Sequence, residues 1–297
     1  MRPLTIGTRG SALALRQVEL VTAAIRSGDP SAQVETSIIQ TEGDRRAEVS
    51  LEEIGGQGVF VKDIEARLLR GEIDIAVHSL KDMPAEQPAG LTVAAVLPRA
   101  DARDALAARD GLALAGLPPG ARIGSDSPRR AIQVLAMRPD VEVASIRGNV
   151  DTRLRKVEAG EYDAVILAVA GLERLGLLDR ASQVFSVREM LPAVGQGVLA
   201  VQCRAGDAEL VEYLAALDDA PTRVAADAER AFLRALGAGC RFPVGAYATV
   251  DGENLRLDAL LGDEGGKAHR GDARGPTSAA ERLGAGLAYS LRKAAGV

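Results

Sequence analysis

One recurring pattern limits what this chain can fold into: a short apolar, β-branched run followed by a segment of helical period. Leu4–Thr8 predicts a strand and Ala12–Ile25 an amphipathic helix. Val34–Gln40 predicts the next strand, Phe60–Arg70 a helix, and Ile73–His78 a strand that is apolar along nearly its whole length. Runs of that kind suit strands buried on both faces, as in a parallel sheet covered by helices. Leu91–Leu97 predicts one more strand. The polar stretch Arg99–Asp104 marks a crossing, after which the alternation restarts. Strands are expected at Ala121–Gly124, Val141–Ile146 and Ala164–Val169, and helices at Pro128–Met137 and Thr152–Ala159. A second crossing is expected at Leu191–Gly197, before a strand at Val198–Cys203. The last third changes character. A helix over Thr222–Leu236 precedes three alternating strands near Val244–Val250, Leu255–Leu261 and Ala268–Ala273, and Ser278–Ala294 predicts a final helix. No internal repeat is visible. The expected class is α/β, with two domains around a hinged cleft and a small α+β third domain. Their expected extents are 1–98 with 198–216, 103–191, and 220–297.

The chain has 297 residues, 47% of them hydrophobic, enough for cores in two or three domains. Its net charge of −5 argues against nucleic acid as a partner. No apolar run approaches the roughly 20 residues that a membrane span needs. The start, Met-Arg-Pro-Leu-Thr-Ile, has no apolar signal core, so a cytoplasmic location is expected. Cys203 and Cys240 form no C-x-x-C, and His78 and His269 are far apart, so no metal site is expected. Only five of the 36 basic residues are lysines, which genome composition explains unless arginines cluster locally.

Four segments carry chemistry. In Gly124-Ser125-Asp126-Ser127-Pro128-Arg129-Arg130 a strand ends, Ser127 suits an N-cap and Pro128 the first helical turn. The result is either an anion site, with helix N–H groups and two guanidiniums, or a capped helix with two solvated arginines. Ile146–Arg153 sits at another strand-to-helix junction, where ligands of doubly wound sheets bind, and it carries Arg147 and Arg153. Arg9 follows the first strand in the same way. Arginines gathered on one cleft suit a ligand with several carboxylates. The third segment, Val77–Pro84, places Lys81 and Asp82 just after a buried strand. That pair is either an ordinary surface pair or a carboxylate suited to stabilising a cationic intermediate. The fourth, Gly237–Pro243, puts Cys240 in a tight loop beside Arg241, which favours a thiolate; a buried inert cysteine is the alternative. Cys203, inside an apolar strand, fits the inert description better.

These segments, with Thr8–Ser11, Ala168–Leu172, Pro192–Gly197 and Ala228–Ala231, resemble the hydroxymethylbilane synthase (porphobilinogen deaminase) family in order and spacing over nearly the whole chain. The resemblance implies two domains like those of periplasmic binding proteins, plus a third. It implies a transferase of tetrapyrrole (haem) biosynthesis, with porphobilinogen as the small-molecule substrate. Four porphobilinogen molecules are condensed, releasing ammonia, to give hydroxymethylbilane. It also implies a dipyrromethane cofactor held by a thioether to Cys240, and a monomer. Asp82 matches the residue that contacts pyrrole N–H groups and stabilises the azafulvenium cation. Lys81, Ser127, Arg129 and Arg130 match positions that hold the cofactor's acetate and propionate groups. Arg9, Ser11, Arg147, Arg153 and Arg174 match positions for the incoming substrate and growing chain.

The sequence departs from the family pattern in two places. Glu53 and Gln57 stand where many members carry lysines, in the glycine-rich stretch Gly55–Gly58, which is expected to form a flap. Asp126 replaces a more usual hydroxyl residue, and an acid there is expected to temper the anion site beside Ser127. A solute-binding module would explain a cleft with arginines but not Cys240 or Asp82. A dinucleotide-dependent dehydrogenase would need a G-x-G-x-x-G after the first strand, which is absent.

Overall fold

The computed structural model describes residues 3–41, 61–237 and 243–296. These fall into two compact units, one of Met1–Arg99 with Val198–Arg223 and one of Ala100–Gly197 with Val224–Val297.

The first unit is built on a five-stranded sheet. Its strands are β1 (Leu4–Thr8), β2 (Val34–Ile38), β3 (Ile75–Ser79), β4 (Leu91–Val96) and, much later in the chain, β10 (Leu199–Arg204). Their order is β2-β1-β3-β10-β4. β1 runs parallel to both β2 and β3, whereas β10 is antiparallel to β3 and β4. Helix α1 (Ala12–Gly28) starts where the Ser11 hydroxyl accepts the Ala14 N–H, and it buries Val18, Val21 and Ile25 at helical spacing. Those residues pack with Leu4, Ile6, Ile75, Val77, Val201 and Cys203 on one face of the sheet. On the other face, Ile64 and Leu68 of α2 (Lys62–Leu69) pack with Ile39, Ile73 and Ala76. The sheet is thus covered on both sides, as the apolar run at Ile73–His78 predicts. Cys203 is fully buried, and burial pushes its thiol up to about 11, as expected of an inert core cysteine.

The second unit holds another five-stranded sheet: β5 (Asp104–Ala108), β6 (Arg122–Gly124), β7 (Glu142–Ala144), β8 (Ala164–Ala168) and β9 (Gln183–Val184), in the order β7-β6-β8-β5-β9. β6, β7 and β8 are parallel, and β5 is antiparallel to β8. Helices α3 (Pro128–Met137), α4 (Val150–Glu158) and α5 (Val169–Arg174) follow β6, β7 and β8. β5 and α5, and helix α6 (Ala208–Ala215) of the first unit, have no counterpart among the sequence predictions. In β5 the sequence Asp-Ala-Leu-Ala-Ala has no β-branched residue, so its strand form comes from burial between β8 and β9 rather than from propensity.

Helix α7 (Ala220–Leu236) spans the boundary between the units, and the rest of the chain belongs to the second. There β11 (Val244–Asp251), β12 (Asn254–Gly262) and β13 (Ala268–Pro276) form an antiparallel sheet, and α8 (Ala280–Ala295) packs on it. Phe232 of α7 joins Leu255, Leu257, Leu287 and Leu291 in that core. α7 and α8 approach so closely that a methyl group at Gly284 would meet the Ala228 carbonyl and lie 2.8 Å from the Phe232 nitrogen. No helix among the described residues is long and apolar enough to cross a membrane.

Candidate active site

In the first unit the expected site residues sit at one edge of the sheet. β1 and β3 are parallel neighbours, so their carboxyl ends open on the same side. Arg9 and Ser11 follow β1, and Lys81 and Asp82 follow β3. The Ser11 oxygen is engaged as the α1 cap at 3.3 Å from the Ala14 nitrogen, which leaves its hydroxyl proton to donate elsewhere. Lys81 and Asp82 lie in a single 3₁₀ turn, Leu80–Asp82, pinned by the buried side chains of Leu80 and Met83. Asp82 itself is exposed. The sheet behind it carries a buried polar chain. Gln202 donates to Glu65 at 2.9 Å and accepts from His78 Nε2 at 3.1 Å. The amide orientation therefore fixes His78 as the neutral Nε2–H tautomer. Burial lowers His78 to about 4, against the Gln202 hydrogen bond, and burial raises Glu65, against its own bond from Gln202 and the charge of Lys62.

In the second unit the carboxyl ends of β6, β7 and β8 likewise share an edge. Because β5 runs the other way, its first residue, Asp104, lies opposite Ala168 at that same edge. Ser127 caps α3 by accepting the Arg130 N–H, and Pro128 occupies the first turn, as the sequence predicts. The two arginines that follow are not solvated: Arg129 is 4% exposed and Arg130 is 7%. Both turn inward onto Asp104. Arg129 Nη1 is 2.7 Å from Asp104 Oδ2, and Arg130 Nη2 is 2.6 Å from Oδ1, with Nε also bonded to Oδ1. Arg129 further donates to the Leu191 carbonyl and Arg130 to that of Ile166. Gln196 donates to Asp104 Oδ1 at 3.0 Å and to the Ala102 carbonyl, which ties the two crossing segments together.

Burial alone would raise the Asp104 carboxyl, but the two guanidiniums and their hydrogen bonds overcome it and hold it below the usual carboxylate range. Burial lowers Arg129, with Asp104 opposing and Arg130 reinforcing the shift. The triad of two cations and one anion retains a positive charge at the start of a helix, where the backbone dipole also favours an anion. Arg129 Nε is buried with no hydrogen-bond acceptor. The sequence motifs leave Asp104 without a role. The available signal was charge accounting, because two adjacent arginines on a buried helix start require a carboxylate, and Asp104 opens an apolar run.

The remaining arginines take different attitudes. Asn149 caps α4, and Arg153 folds back so that its Nε donates to the Gly148 carbonyl at 2.8 Å. Arg174, at the end of α5, donates to the Gly197 carbonyl at 2.7 Å, and burial lowers its pKa, with Glu173 opposing. The Ser127 N–H is received by Ser125 Oγ at 3.2 Å. Asp126 Oδ1 accepts from Ser145 Oγ at 2.5 Å and from the Ile146 N–H at 3.2 Å, and Oδ2 lies 3.8 Å from Arg147 Nη1.

Cys240, Glu53, Gln57 and the stretch Gly55–Gly58 lie outside the described residues. The chain on the far side of Cys240 is described. Pro243 accepts the Gly262 N–H, and a methyl at Gly262 would sit 2.7 Å from the Pro243 ring and 3.0 Å from Ile132 of α3. Two residues on, a methyl at Gly245 would sit 3.0 Å from the Pro192 carbonyl and 3.2 Å from Arg129 Cδ. A side chain at Gly245 would crowd both the Pro192 carbonyl and Arg129, so the glycine brings β11 close to the Arg129 side chain. Gln133 of α3 secures the same junction, donating to the Arg129 carbonyl and accepting from Leu191 N–H and Arg270 of β13. Glu229 of α7 receives the N–H groups of Gly195 and Ala248.

Residues 4–212 match the family model described as porphobilinogen deaminase, dipyromethane cofactor binding domain, and residues 224–293 match porphobilinogen deaminase, C-terminal domain. The porphobilinogen deaminase of Roseiflexus castenholzii is 47% identical over 293 residues, covering 99% of this chain and 97% of that protein. That of Brevibacillus brevis is 51% identical over 264 residues, covering 88% and 85%. Among solved structures, the periplasmic aliphatic sulphonate binding protein SsuA of Escherichia coli aligns with a TM-score of 0.41 at 13% identity, covering 79% of this chain and 70% of that one. Two family models that together span most of the chain, and relatives near half identity over nearly all of it, establish that the chain belongs to the porphobilinogen deaminase family.

Proposed function

We propose that this chain condenses four porphobilinogen molecules head to tail, releasing ammonia at each addition and hydroxymethylbilane at the end, on a dipyrromethane attached to Cys240. The observation that carries the residue assignment is the Asp104–Arg129–Arg130 triad, which lies under the strand leading away from Cys240. Pro243 follows Cys240 by three chain steps, a reach of at most about 11 Å. A group tethered there and bearing carboxylates suits two guanidiniums that share one anion, with Arg129 Nε short of an acceptor. Arg129, Arg130, Ser127, Lys81 and Asp82 would hold it. Once bound, it supplies the pyrrole carbon to which the first substrate is joined.

The other roles fall to side chains that act on the substrate. Arg9, Arg147, Arg153 and Arg174 pair with its acetate and propionate groups, and Ser11 offers a hydroxyl donor. Asp82, exposed on its pinned turn, meets the positive charge that develops on the substrate pyrrole as the C–N bond breaks and ammonia departs. A fixed carboxylate is worth most where charge appears in the transition state. The chain is taken to act as a cytoplasmic monomer on a small molecule, and its net charge of −5 gives nucleic acid no general electrostatic attraction.

The test is steady-state turnover of porphobilinogen by cofactor-loaded protein. Asp82→Asn keeps the size and removes the charge, so kcat should fall roughly 100-fold or more while KM changes less. Asp82→Glu should retain more activity than the amide. An Asp82→Asn protein that turns over within a few-fold of the parent would remove Asp82 from the mechanism.

A further inference from the structure

We infer that Asp126 is a positioning residue for Arg147, an internal carboxylate that orients this guanidinium and competes with the substrate's carboxylate for it. The inference rests on the assignment of Arg147 to substrate binding.

Three observations support it. Asp126 lies between β6 and α3, yet its Oδ1 is bonded to Ser145 Oγ and Ile146 N–H, both immediately before Arg147. Tyr162 fixes the same turn from the other side by donating to the Ser145 carbonyl at 2.5 Å. Asp126 thus joins the segment that carries Ser127, Arg129 and Arg130 to the one that carries Arg147. Its second oxygen, Oδ2, is shielded from solvent, has no hydrogen-bond partner and stands 3.8 Å from Arg147 Nη1. At that distance the two opposite charges attract beyond hydrogen-bonding range. Both side chains are about one-fifth exposed, at 19% and 20%, so the attraction is only partly screened. A ligand carboxylate arriving at Arg147 gains a bidentate partner but meets the like charge of Asp126 behind it.

Charge and clamp are separable by substitution. Asp126→Asn keeps an oxygen for Ser145 and Ile146 and removes the negative charge, so KM for porphobilinogen should fall about threefold, the scale of a partly exposed charge pair. The change should reside in KM rather than kcat, because the opposing charge acts on binding. Asp126→Ala removes the acceptor as well, releases the turn before Arg147, and should raise KM. Arg147→Leu should raise KM alone, and Asp126→Asn should then have no further effect when added to it.

Steady-state kinetics of these four variants in cofactor-loaded protein decide the matter. A KM raised or left equal by Asp126→Asn, with Arg147→Leu still raising it, overturns the inference. A fall in KM of the same size with and without Arg147 also overturns it, since Asp126 would then act elsewhere. If Arg147→Leu leaves KM at the parent value, the substrate-binding role of Arg147 fails, and that failure is distinguishable because it appears with Asp126 intact.

Discussion

Asp104 keeps two buried guanidiniums from facing each other without a counter-charge. Asp104→Asn preserves shape and an acceptor oxygen but leaves both cations uncompensated, and breaking a buried pair in this way costs about 3–5 kcal/mol. Urea unfolding should show that loss near neutral pH. Because the folded carboxyl titrates below its unfolded value, its contribution is complete above the ordinary aspartate range near about 3.9 and is lost as pH falls below it. The gap between parent and variant should therefore close in acid, and a variant within about 1 kcal/mol of the parent at neutral pH would contradict the assignment. The arginines should separate by function. Arg129→Leu or Arg130→Leu should block cofactor loading, whereas Arg174→Leu should load and mainly raise KM. Mass spectrometry and kinetics check the two halves, and normal loading in both of the first two variants would refute the division. The Ser127 cap and the arginines beside it were legible in the sequence because capping is local chemistry. Their burial was not, because it depends on a carboxylate 25 positions away in sequence from Arg129.

At the scale of elements, the strands easiest to anticipate were those with β-branched apolar runs, such as β3 and β8. β5 escaped because nothing in Asp-Ala-Leu-Ala-Ala favours a strand until its neighbours are in place. β3 and β10 carry the His78–Gln202 contact, which has a measurable consequence. His78 titrates at about 4 in the folded chain, against about 6.5 when unfolded. The unfolded state therefore binds more protons in that window, and stability falls as pH drops through it, by on the order of 3 kcal/mol. Glu65, raised by burial, works the opposite way, its contribution being greatest in acid and lost as pH rises through its folded value. His78→Gln removes the histidine's share alone. Relative to this variant, the parent should lose stability between about pH 6.5 and 4, measured by urea unfolding at several pH values. A constant difference across that range would show that His78 is not held neutral.

At the scale of the whole molecule, the two large sheets follow one strand order, β2-β1-β3-β10-β4 and β7-β6-β8-β5-β9. In each, the fourth strand is antiparallel and follows one of the expected crossings, β5 after Arg99–Asp104 and β10 after Leu191–Gly197. The sequence shows no repeat because topology recurs here while the side chains do not. Arg9, Lys81, Asp82, Arg129, Arg130 and Arg147 lie just beyond the carboxyl ends of parallel strands, where alternation alone directs attention, whereas Arg153 and Arg174 sit farther along the helices that follow. Asp104, Gln196 and Gln133 were hidden because their partners are distant in sequence: Arg129 and Arg130 of α3 for Asp104, the first crossing for Gln196, and Leu191 and Arg270 of β13 for Gln133.

The central claim is a pyrrole cofactor on one particular cysteine, and intact mass spectrometry of the purified protein tests it most directly. The parent should carry an addition equal to two linked pyrrole units. Cys203→Ser should keep it, since that thiol is buried in the first core and pushed up to about 11. Cys240→Ser should fold and carry none, because an alcohol is a far weaker nucleophile than a thiolate. An unmodified parent, or an adduct that persists on Cys240→Ser, would contradict the account.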